Sequence, residues 1–374
     1  MSAANDNFRM TNHQSIMLQL LRDELWQAEL KDYDLSPEDC SKVLHYAKEQ
    51  SLLGLVLNTL VRNNVKMGIQ NVTKGLMVME TIRKGNALIN ANLKEMVDIL
   101  NANNIHYVVF KGQTVGIDYP NPDLRAAGDV DFYVVPDQYN HAYELLAEAF
   151  GLKKEDLLKE DKHDSFEYKK TAFEMHFEME TFGSKKHQRY YNSVFEKSIG
   201  EERAEMDFHG TRLLVLEPTL NVIQVFKHLT YHLLVEGVGL RQFCDLAIII
   251  HKHKDEIDRQ QLETHLKKIG YYKAFIAVGA LLVNHLGLKK EDFPFDIPEK
   301  YGKWADKILE VTLQRGNFGK FNRKHYKPGF KRSMETARIA MGHCFKFLPL
   351  AKSDILHLIP KRIGIALKLY KTHE

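Results

Sequence analysis

Hydrophobic and polar residues change their spacing twice along this chain of 374 residues. From about residue 12 to 103, apolar residues recur every three or four positions, which is the period of one face of an α-helix. From 104 to 216 the period shortens, and short apolar or alternating runs indicate strands. Helical spacing then returns. We therefore predict a helical region over 1–103, a core of strands and helices over 104–216, and a second helical region over 217–374.

The two flanking regions are predicted to consist almost entirely of helices. One helix should begin at Ser36-Pro37, because Ser caps a helix N-terminus and Pro is tolerated in the first turn. A long helix should cover about 73–101. After residue 216 the apolar periods predict helices near 218–235, 239–253, 258–269, 272–286, 331–347 and 352–371.

The central region is predicted to contain a small sheet, so that the fold class is α+β. Strand-like runs occupy residues 105–110, 128–135, 165–169, 172–180 and 211–216, and a helix follows the second run. Residues 172–180 alternate strictly between apolar and polar side chains. Phe173, Met175, Phe177 and Met179 should share one face, and Glu174, His176, Glu178 and Glu180 the other.

Two carboxylates placed two residues apart are the main sign of chemistry in this core. Asp129 and Asp131 lie in the second strand-like run, where alternate side chains point to the same side together with Tyr133. Neighbouring carboxylates repel each other, and burying them without a partner is costly. A divalent cation such as Mg²⁺ relieves both problems because it prefers oxygen ligands. The competing interpretation is a solvated strand face, which a lone Asp-x-Asp would favour.

A turn and a loop near the acid pair carry groups suited to phosphate. Lys111 and Gly112 end the first strand-like run. Gly lets backbone N–H groups approach a phosphate closely, and Lys supplies a point charge. The same pair can instead form a plain turn with a solvated lysine. Arg125 lies in the following loop, where it can contact phosphate or tie the loop to one of the two aspartates.

Together these motifs resemble a known family. The similarity is to the uncharacterised nucleotidyltransferase family of the DNA polymerase beta-like superfamily, and it is carried by Lys111-Gly112, Tyr119-Pro120, Arg125, Gly128-Asp129-x-Asp131 and Glu174-Met175-His176. The similarity covers about residues 105–180, and a weaker similarity lies at His228 and at 241–246. The resemblance implies a small mixed-sheet nucleotidyltransferase core between the two helical regions. The superfamily usually has Gly-Ser after its first strand, so the Lys-Gly turn is a departure.

The resemblance also implies an activity and a set of site residues. The activity is transfer of a nucleoside monophosphate from an NTP such as ATP to a hydroxyl group, with Mg²⁺ or Mn²⁺ as cofactor. The implied catalytic and metal-holding residues are Asp129, Asp131 and Glu174. The implied nucleotide-binding residues are Lys111, Gly112, Arg125 and His228. The acceptor stays open among a small molecule, a sugar and a macromolecule.

Two other functions fit the same residues. A nucleotidyltransferase-like protein without catalysis would bind a nucleotide or a partner protein, and the altered Lys-Gly turn is compatible with this. A toxin-like member of the superfamily would modify RNA or a protein in a paired bacterial system.

The predicted helices after residue 216 carry two polar pairs at four-residue spacing. His228 and His232 lie opposite the apolar face of their helix, so they should face solvent or a cleft. A polar helix face is the expected use, ahead of a zinc site, because further ligands cannot be placed. Arg241 and Asp245 are predicted to form an ion pair on a helix surface.

Charge and cysteine content narrow the classes of protein that remain. The formal net charge of +3 does not indicate a general polyanion binder, but residues 320–374 hold thirteen Lys and Arg against three acids. This basic tail predicts an anionic partner or a solvated face on packed helices. Cys40, Cys244 and Cys344 show neither disulfide nor zinc spacing. Without a signal pattern or an apolar run near ~18 residues, we expect a cytoplasmic protein with no transmembrane segment.

Overall fold

The computed structural model describes residues 9–357 apart from 161, 202–203, 236, 320 and 322–329. The helices in these residues are α1 (Asn12–Leu25), α2 (Pro37–Glu49), α3 (Leu53–Arg62), α4 (Ile69–Ala102), α5 (Gly112–Gly116), α6 (Tyr139–Phe150), α7 (Lys185–Glu201), α8 (Pro218–Val235), α9 (Leu240–Lys252), α10 (Arg259–Lys268), α11 (Tyr272–Leu286), α12 (Gly302–Arg315) and α13 (Phe330–Phe347). The strands are β1 (Tyr107–Phe110), β2 (Val130–Val134), β3 (Leu158–Lys159), β4 (His163–Tyr168), β5 (Thr171–His176), β6 (Ala204–Phe208) and β7 (Thr211–Val215).

These seven strands form one mixed sheet with the order β3-β4-β5-β2-β1-β7-β6. β1 and β2 pair antiparallel, whereas β5 runs parallel to β2 and β7 runs parallel to β1. The sequence neighbours β4 with β5 and β6 with β7 pair antiparallel. β2 therefore has a strand on each side, and the predicted α+β class with a mixed sheet is confirmed.

Side chains of β2 alternate between two hydrophobic layers. Phe132 packs in a layer with Leu93 of α4 and Leu146 of α6. Tyr133 joins the opposite layer, which contains apolar residues of α1 to α3 and of α7 to α13. Both flanking helical regions thus share one hydrophobic layer with the sheet. The division into 1–103, 104–216 and 217–374 as separate domains remains a prediction.

Predicted boundaries agree with the structure better in the helices than in the strands. Ser36 caps α2, where its side chain accepts a hydrogen bond from the Asp39 amide, as predicted. β5 ends at His176, so the alternation predicted as far as Glu180 is wrong beyond that point. The ladder stops because the amides of residues 177 and 178 both donate to the carbonyl of Lys162. As a result Phe177 is 39% exposed and Glu180 is buried.

The sequence did not individually predict α3, α5, α7, α12, β3 or β6. In α7 a signal was present, since the buried residues Tyr191, Phe195 and Ile199 recur every four positions. Because the residues between them are polar, this narrow apolar stripe was not recognised as a helix in the sequence. β6 is a strand with a largely exposed face, which leaves little apolar pattern to detect.

The loop between α5 and β2 is held by three helices. Glu24 of α1 accepts a hydrogen bond of 2.6 Å from the Asn121 side chain. Asn86 of α4 donates to the carbonyl of Arg125 at 3.0 Å. From α9, the guanidinium of Arg241 donates to the next carbonyl along the loop at 2.5 Å. The loop that leads into the acidic strand is therefore fixed from both flanking regions.

Among the described residues, none of the helices is both long and apolar enough to cross a bilayer. The helix predicted over 352–371 is described only for residues 352–357. Much of the basic tail, residues 322–329 and 358–374, lies outside the described residues, so its anionic partner stays a prediction.

Candidate active site

Strand register brings the predicted acidic residues together. In the parallel pair of β2 and β5, Asp131 lies beside Glu174. In the antiparallel pair of β1 and β2, Asp131 lies beside Phe110, which directly precedes Lys111. Asp129 comes just before the first residue of β2. Residues that are up to 63 positions apart in the sequence thus meet at one point of the sheet.

A cleft of about 500 Å³ lies at this point, between the sheet and helices α8 and α9. All seven predicted site residues line it: Lys111, Gly112, Arg125, Asp129, Asp131, Glu174 and His228. Other charged residues that were not predicted to belong to the site also line it, among them Glu160, Lys162, His163 and Glu180. The structure therefore brings the whole predicted set together, while the role of each residue remains a prediction.

Asp131 is the most strongly held carboxylate of the cleft. It is 4% exposed, and its Oδ1 lies 3.0 Å from Lys111 Nζ and 3.0 Å from His176 Nε2. Burial alone would raise the pKa of Asp131, but Lys111 and the hydrogen bond from His176 hold it well below its usual range. Burial likewise opposes the charge on Lys111, yet Asp131, Glu180 and Glu174 raise its pKa. The pair is thus ionised at neutral pH.

The Lys111-Gly112 turn has an unusual backbone. Both residues have positive φ, at 59° and 40°, which is rare for a lysine. A Cβ atom on Gly112 would lie 3.1 Å from the carbonyl oxygen of Asp129, so this position favours glycine for space as well as for conformation. The turn is therefore packed directly against the acidic strand.

Asp129 differs from Asp131 because it has no compensating cation beside it. Within the described part of the chain, no ion pair or side-chain hydrogen bond reaches its carboxylate, which is half-buried. Burial, followed by repulsion from Asp131 and Glu174, raises the pKa of Asp129 to about 6. The cleft thus holds an excess of negative charge at this position.

Asp129 should make the metal-free protein less stable as the pH rises. Below about pH 4 its carboxyl group is protonated in both states, whereas between the unfolded-state pKa of about 3.9 and the folded-state pKa of about 6 only the unfolded state ionises. We expect Asp129→Asn to raise the free energy of unfolding by about 1–3 kcal/mol at pH 8 and to change it little at pH 4, measured by urea titration. The same change at the exposed Asp137 is the control. Equal effects of both variants would contradict the prediction.

Glu174 lies between two histidines. Its Oε2 is 3.4 Å from His176 Nε2 and 3.6 Å from His163 Nε2. Burial raises the pKa of Glu174, but the hydrogen bond from His176 and the charges of Lys111 and His163 together shift it downward. His176 is fully buried, and its contact with Asp131 suits it to orient carboxylates. Because it is enclosed, it is not placed to act as a base on a substrate.

Glu180 forms a second buried charge cluster at the other side of the cleft. Its carboxylate lies 3.2 Å from Lys162 Nζ and 3.4 Å from His228 Nδ1. Burial would raise the pKa of Glu180, but Lys162 and His228 keep it well below its usual value. Sequence reasoning missed this residue because strand alternation assigned it to a row of ordinary acids. His228 therefore faces a carboxylate of the cleft. This agrees with the prediction that it faces either solvent or a cleft.

Arg125 and Asp245 form a buried ion pair that corrects two predictions. Arg125 Nε and Nη2 donate to the two Asp245 oxygens at 2.7 and 2.8 Å, and Tyr119 donates to the same carboxylate at 2.7 Å. Arg125 thus ties its loop to α9 and not to Asp129 or Asp131. The surface pair predicted between Arg241 and Asp245 is wrong, because Asp245 is buried and already satisfied. Arg125 Nη1 is buried with no hydrogen-bond partner among the described residues.

The donor set at the acidic point of the cleft fits a divalent cation. Asp129, Asp131 and Glu174 supply oxygen ligands, which Mg²⁺ and Mn²⁺ prefer. Burial and the two other carboxylates raise the pKa of Asp129. The single positive charge of Lys111 therefore does not neutralise the three carboxylates. A cation bound by Asp129 would offset the remaining repulsion.

The mixed sheet and the carboxylates on its adjacent strands agree with the fold expected of a nucleotidyltransferase. The sequence matches the family model described as "Uncharacterised nucleotidyltransferase" over residues 36–287, which is more than half of the chain. The protein therefore belongs to this uncharacterised nucleotidyltransferase family.

Solved structures that are similar to this chain include a nucleotidyltransferase-like protein. This is an antigenic nucleotidyltransferase-like protein from Paracoccidioides brasiliensis, with 13% sequence identity and a TM-score of 0.32. The similarity covers 54% of this chain and 93% of that chain. No curated protein matches the sequence.

Proposed function

We propose that this protein is a metal-dependent nucleotidyltransferase that moves a nucleoside monophosphate from an NTP to a hydroxyl group of an acceptor. The main support is the placement of Asp129 beside Asp131 and Glu174 in one cleft, where the pKa of Asp129 is raised by burial and by both neighbours. Perturbed carboxylates in a cleft are typical of functional sites. Membership of the family supports the reaction class.

In this reaction the acceptor oxygen attacks the α-phosphorus in line with the bond to pyrophosphate. A new P–O bond forms, the bond to pyrophosphate breaks, and the hydroxyl proton is lost. Such transfers depend mainly on positioning and on neutralisation of charge. When bound by Asp129, Asp131 and Glu174, Mg²⁺ or Mn²⁺ would supply positive charge to the reacting oxygens.

The protein's own cations would hold the nucleotide. The Lys111 ammonium group lines the cleft and is directed at Asp131, so a phosphate placed there would share it. Gly112 allows close approach of the backbone to that phosphate. Arg125 lines the same cleft with one guanidinium nitrogen unpaired among the described residues, which makes it a donor for a second phosphate oxygen.

The proposal is tested by incubating the purified protein with each α-labelled NTP, with Mg²⁺ or Mn²⁺, and with a cell extract as the source of acceptors. We expect metal-dependent release of pyrophosphate together with transfer of label to an acceptor. Asp129→Asn should reduce the rate about 100-fold, as expected when one preorganised charge is removed. The variant is suitable because it leaves no buried cation without its partner. Label transfer that is equally fast in this variant would reject the proposal.

A second function is favoured by one observation. Lys111 Nζ already lies 3.0 Å from Asp131, so a fixed internal cation occupies part of the acidic site. A nucleotide-binding protein without catalysis would use this charge in place of a metal. Calorimetry with NTPs separates the two functions, because metal-independent binding without pyrophosphate release is expected only of the binding protein.

A further inference from the structure

We propose that the cleft contains a metal subsite with nitrogen ligands, formed by His163, Glu174 and His176, and that this subsite selects an imidazole-binding transition metal over Mg²⁺. The three residues come from the ends of two adjacent strands, β4 and β5. They differ from the all-oxygen set of Asp129, Asp131 and Glu174, with which they share only Glu174. The use of this metal in catalysis rests on the proposed function, whereas its binding does not.

The geometry of the three side chains suits a single ion. One ligand atom from each residue lies within 4.8 Å of the others. Antiparallel pairing of β4 with β5 places His163 directly opposite His176, and the two rings have a centroid distance of 4.7 Å. Glu174 is two residues before His176 and points to the same side. The spacing therefore follows from strand register and needs no unusual backbone.

His163 is a buried side chain without a hydrogen-bond partner among the described residues, and its Nε2 lies 3.5 Å from Glu160 Oε2. It is 6% exposed, and neither of its ring nitrogens makes a hydrogen bond with any described residue. Its Nε2 lies 3.6 Å from Glu174 Oε2, beyond hydrogen-bond distance but close enough for both atoms to contact one ion. Buried polar groups are normally satisfied, so an unsatisfied imidazole nitrogen beside a carboxylate indicates a missing ligand.

The surroundings of His176 also suit a metal ion. Its Nδ1 lies 3.3 Å from the carbonyl oxygen of Glu178, which can only accept, so Nδ1 carries a proton. Its Nε2 faces Asp131 Oδ1 at 3.0 Å and Glu174 Oε2 at 3.4 Å. A metal ion in place of the proton on Nε2 would contact this nitrogen and Glu174 together, and the Nδ1 contact is the outer hydrogen bond that metal-bound histidines usually make.

Ligand chemistry then separates the candidate metals. Mg²⁺ favours oxygen ligands and keeps several waters, whereas imidazole suits Zn²⁺, Fe²⁺ and other first-row transition metals. Two imidazoles and one carboxylate form a donor set in which Mg²⁺ is a poor competitor. We therefore expect the full-length protein to bind Cu²⁺ and Co²⁺ through nitrogen in the presence of excess Mg²⁺.

The test determines directly whether nitrogen atoms bind the metal ion. Cu²⁺ is added to the full-length protein in the presence of excess Mg²⁺, and electron spin-echo modulation is recorded on unlabelled protein and on protein labelled with ¹⁵N-histidine. We expect imidazole nitrogen modulation that changes frequency with the label. In His163→Gln this modulation should weaken, and the Kd for Co²⁺ should rise at least about tenfold. His228→Gln is the matched control, because His228 lines the same cleft but is not a ligand, and the signal should persist.

Other results would overturn the inference. Bound Cu²⁺ with only oxygen ligands would do so, as would modulation that is the same in His163→Gln as in the wild type. The isotope comparison needs no substitution, so the inference stays testable even if a variant fails to fold. Oxygen-only Cu²⁺ together with normal Mg²⁺-dependent pyrophosphate release would reject this subsite and leave the proposed function intact. Nitrogen-bound Cu²⁺ in a protein without NTP turnover would reject the proposed function alone.

Discussion

Asp131→Asn is expected to lower nucleotidyl transfer by on the order of 1000-fold, the upper end of the cost of removing one preorganised charge from a site. The reason is that Asp131 contacts several groups of the cleft at once. Its carboxylate is the central group of the cleft, in contact with Lys111 and His176 and beside Glu174 in the sheet register. Asn keeps the shape but removes the charge. Pyrophosphate release under saturating NTP and metal measures the effect.

The same substitution affects stability, and this gives the control. Lys111 is buried, so without Asp131 its ammonium group loses its nearest anion, which typically costs about 3–5 kcal/mol. The double variant Lys111→Met/Asp131→Asn should recover most of this loss in urea titrations and still be inactive. A folded Asp131→Asn protein with turnover within about threefold of the wild type would exclude Asp131 from catalysis.

Asp245→Asn is expected to be among the most destabilising single changes outside the hydrophobic core, with a loss of about 3–5 kcal/mol in the free energy of unfolding. Asp245 is the sole ion-pair partner of Arg125 among the described residues, and both side chains are buried. Removing the carboxylate charge leaves the guanidinium group of Arg125, which is only 3% exposed, without its counter-ion. Urea denaturation followed by circular dichroism measures the loss.

Tyr119→Phe is the matched control for this pair. It removes one hydrogen bond to the same carboxylate while both charges stay, so the cost should be only about 1 kcal/mol. A loss in Asp245→Asn no larger than that in Tyr119→Phe would show that the ion pair contributes little to stability.

The local part of the site could be predicted from the sequence. A period of two residues predicted that Asp129 and Asp131 would lie together, and apolar periods predicted most of the helices that enclose the cleft. These features depend on residues that are close in the chain. The turn at Lys111-Gly112 was also recognisable, because a glycine at that position follows from backbone geometry.

The remaining part of the site depends on contacts over long sequence separations. The pairing of Arg125 with Asp245 spans 120 residues, and four-residue spacing on one helix suggested a nearer but wrong partner, Arg241. His163 entered the site through the register of β4 on β5, which no local pattern specifies. Glu180 was assigned to an extended strand, whereas the chain leaves the sheet after His176.

The three-helix attachment of the loop before β2 has a consequence for nucleotide binding. Glu24, Asn86 and Arg241 hold this loop before any ligand arrives, so little ordering entropy remains to be lost when a triphosphate enters. An excised fragment with residues 104–216 would lack all three anchors. Such a fragment would keep the acidic strand and still be a poor receptor, since the rigidity of the cleft belongs to the whole chain.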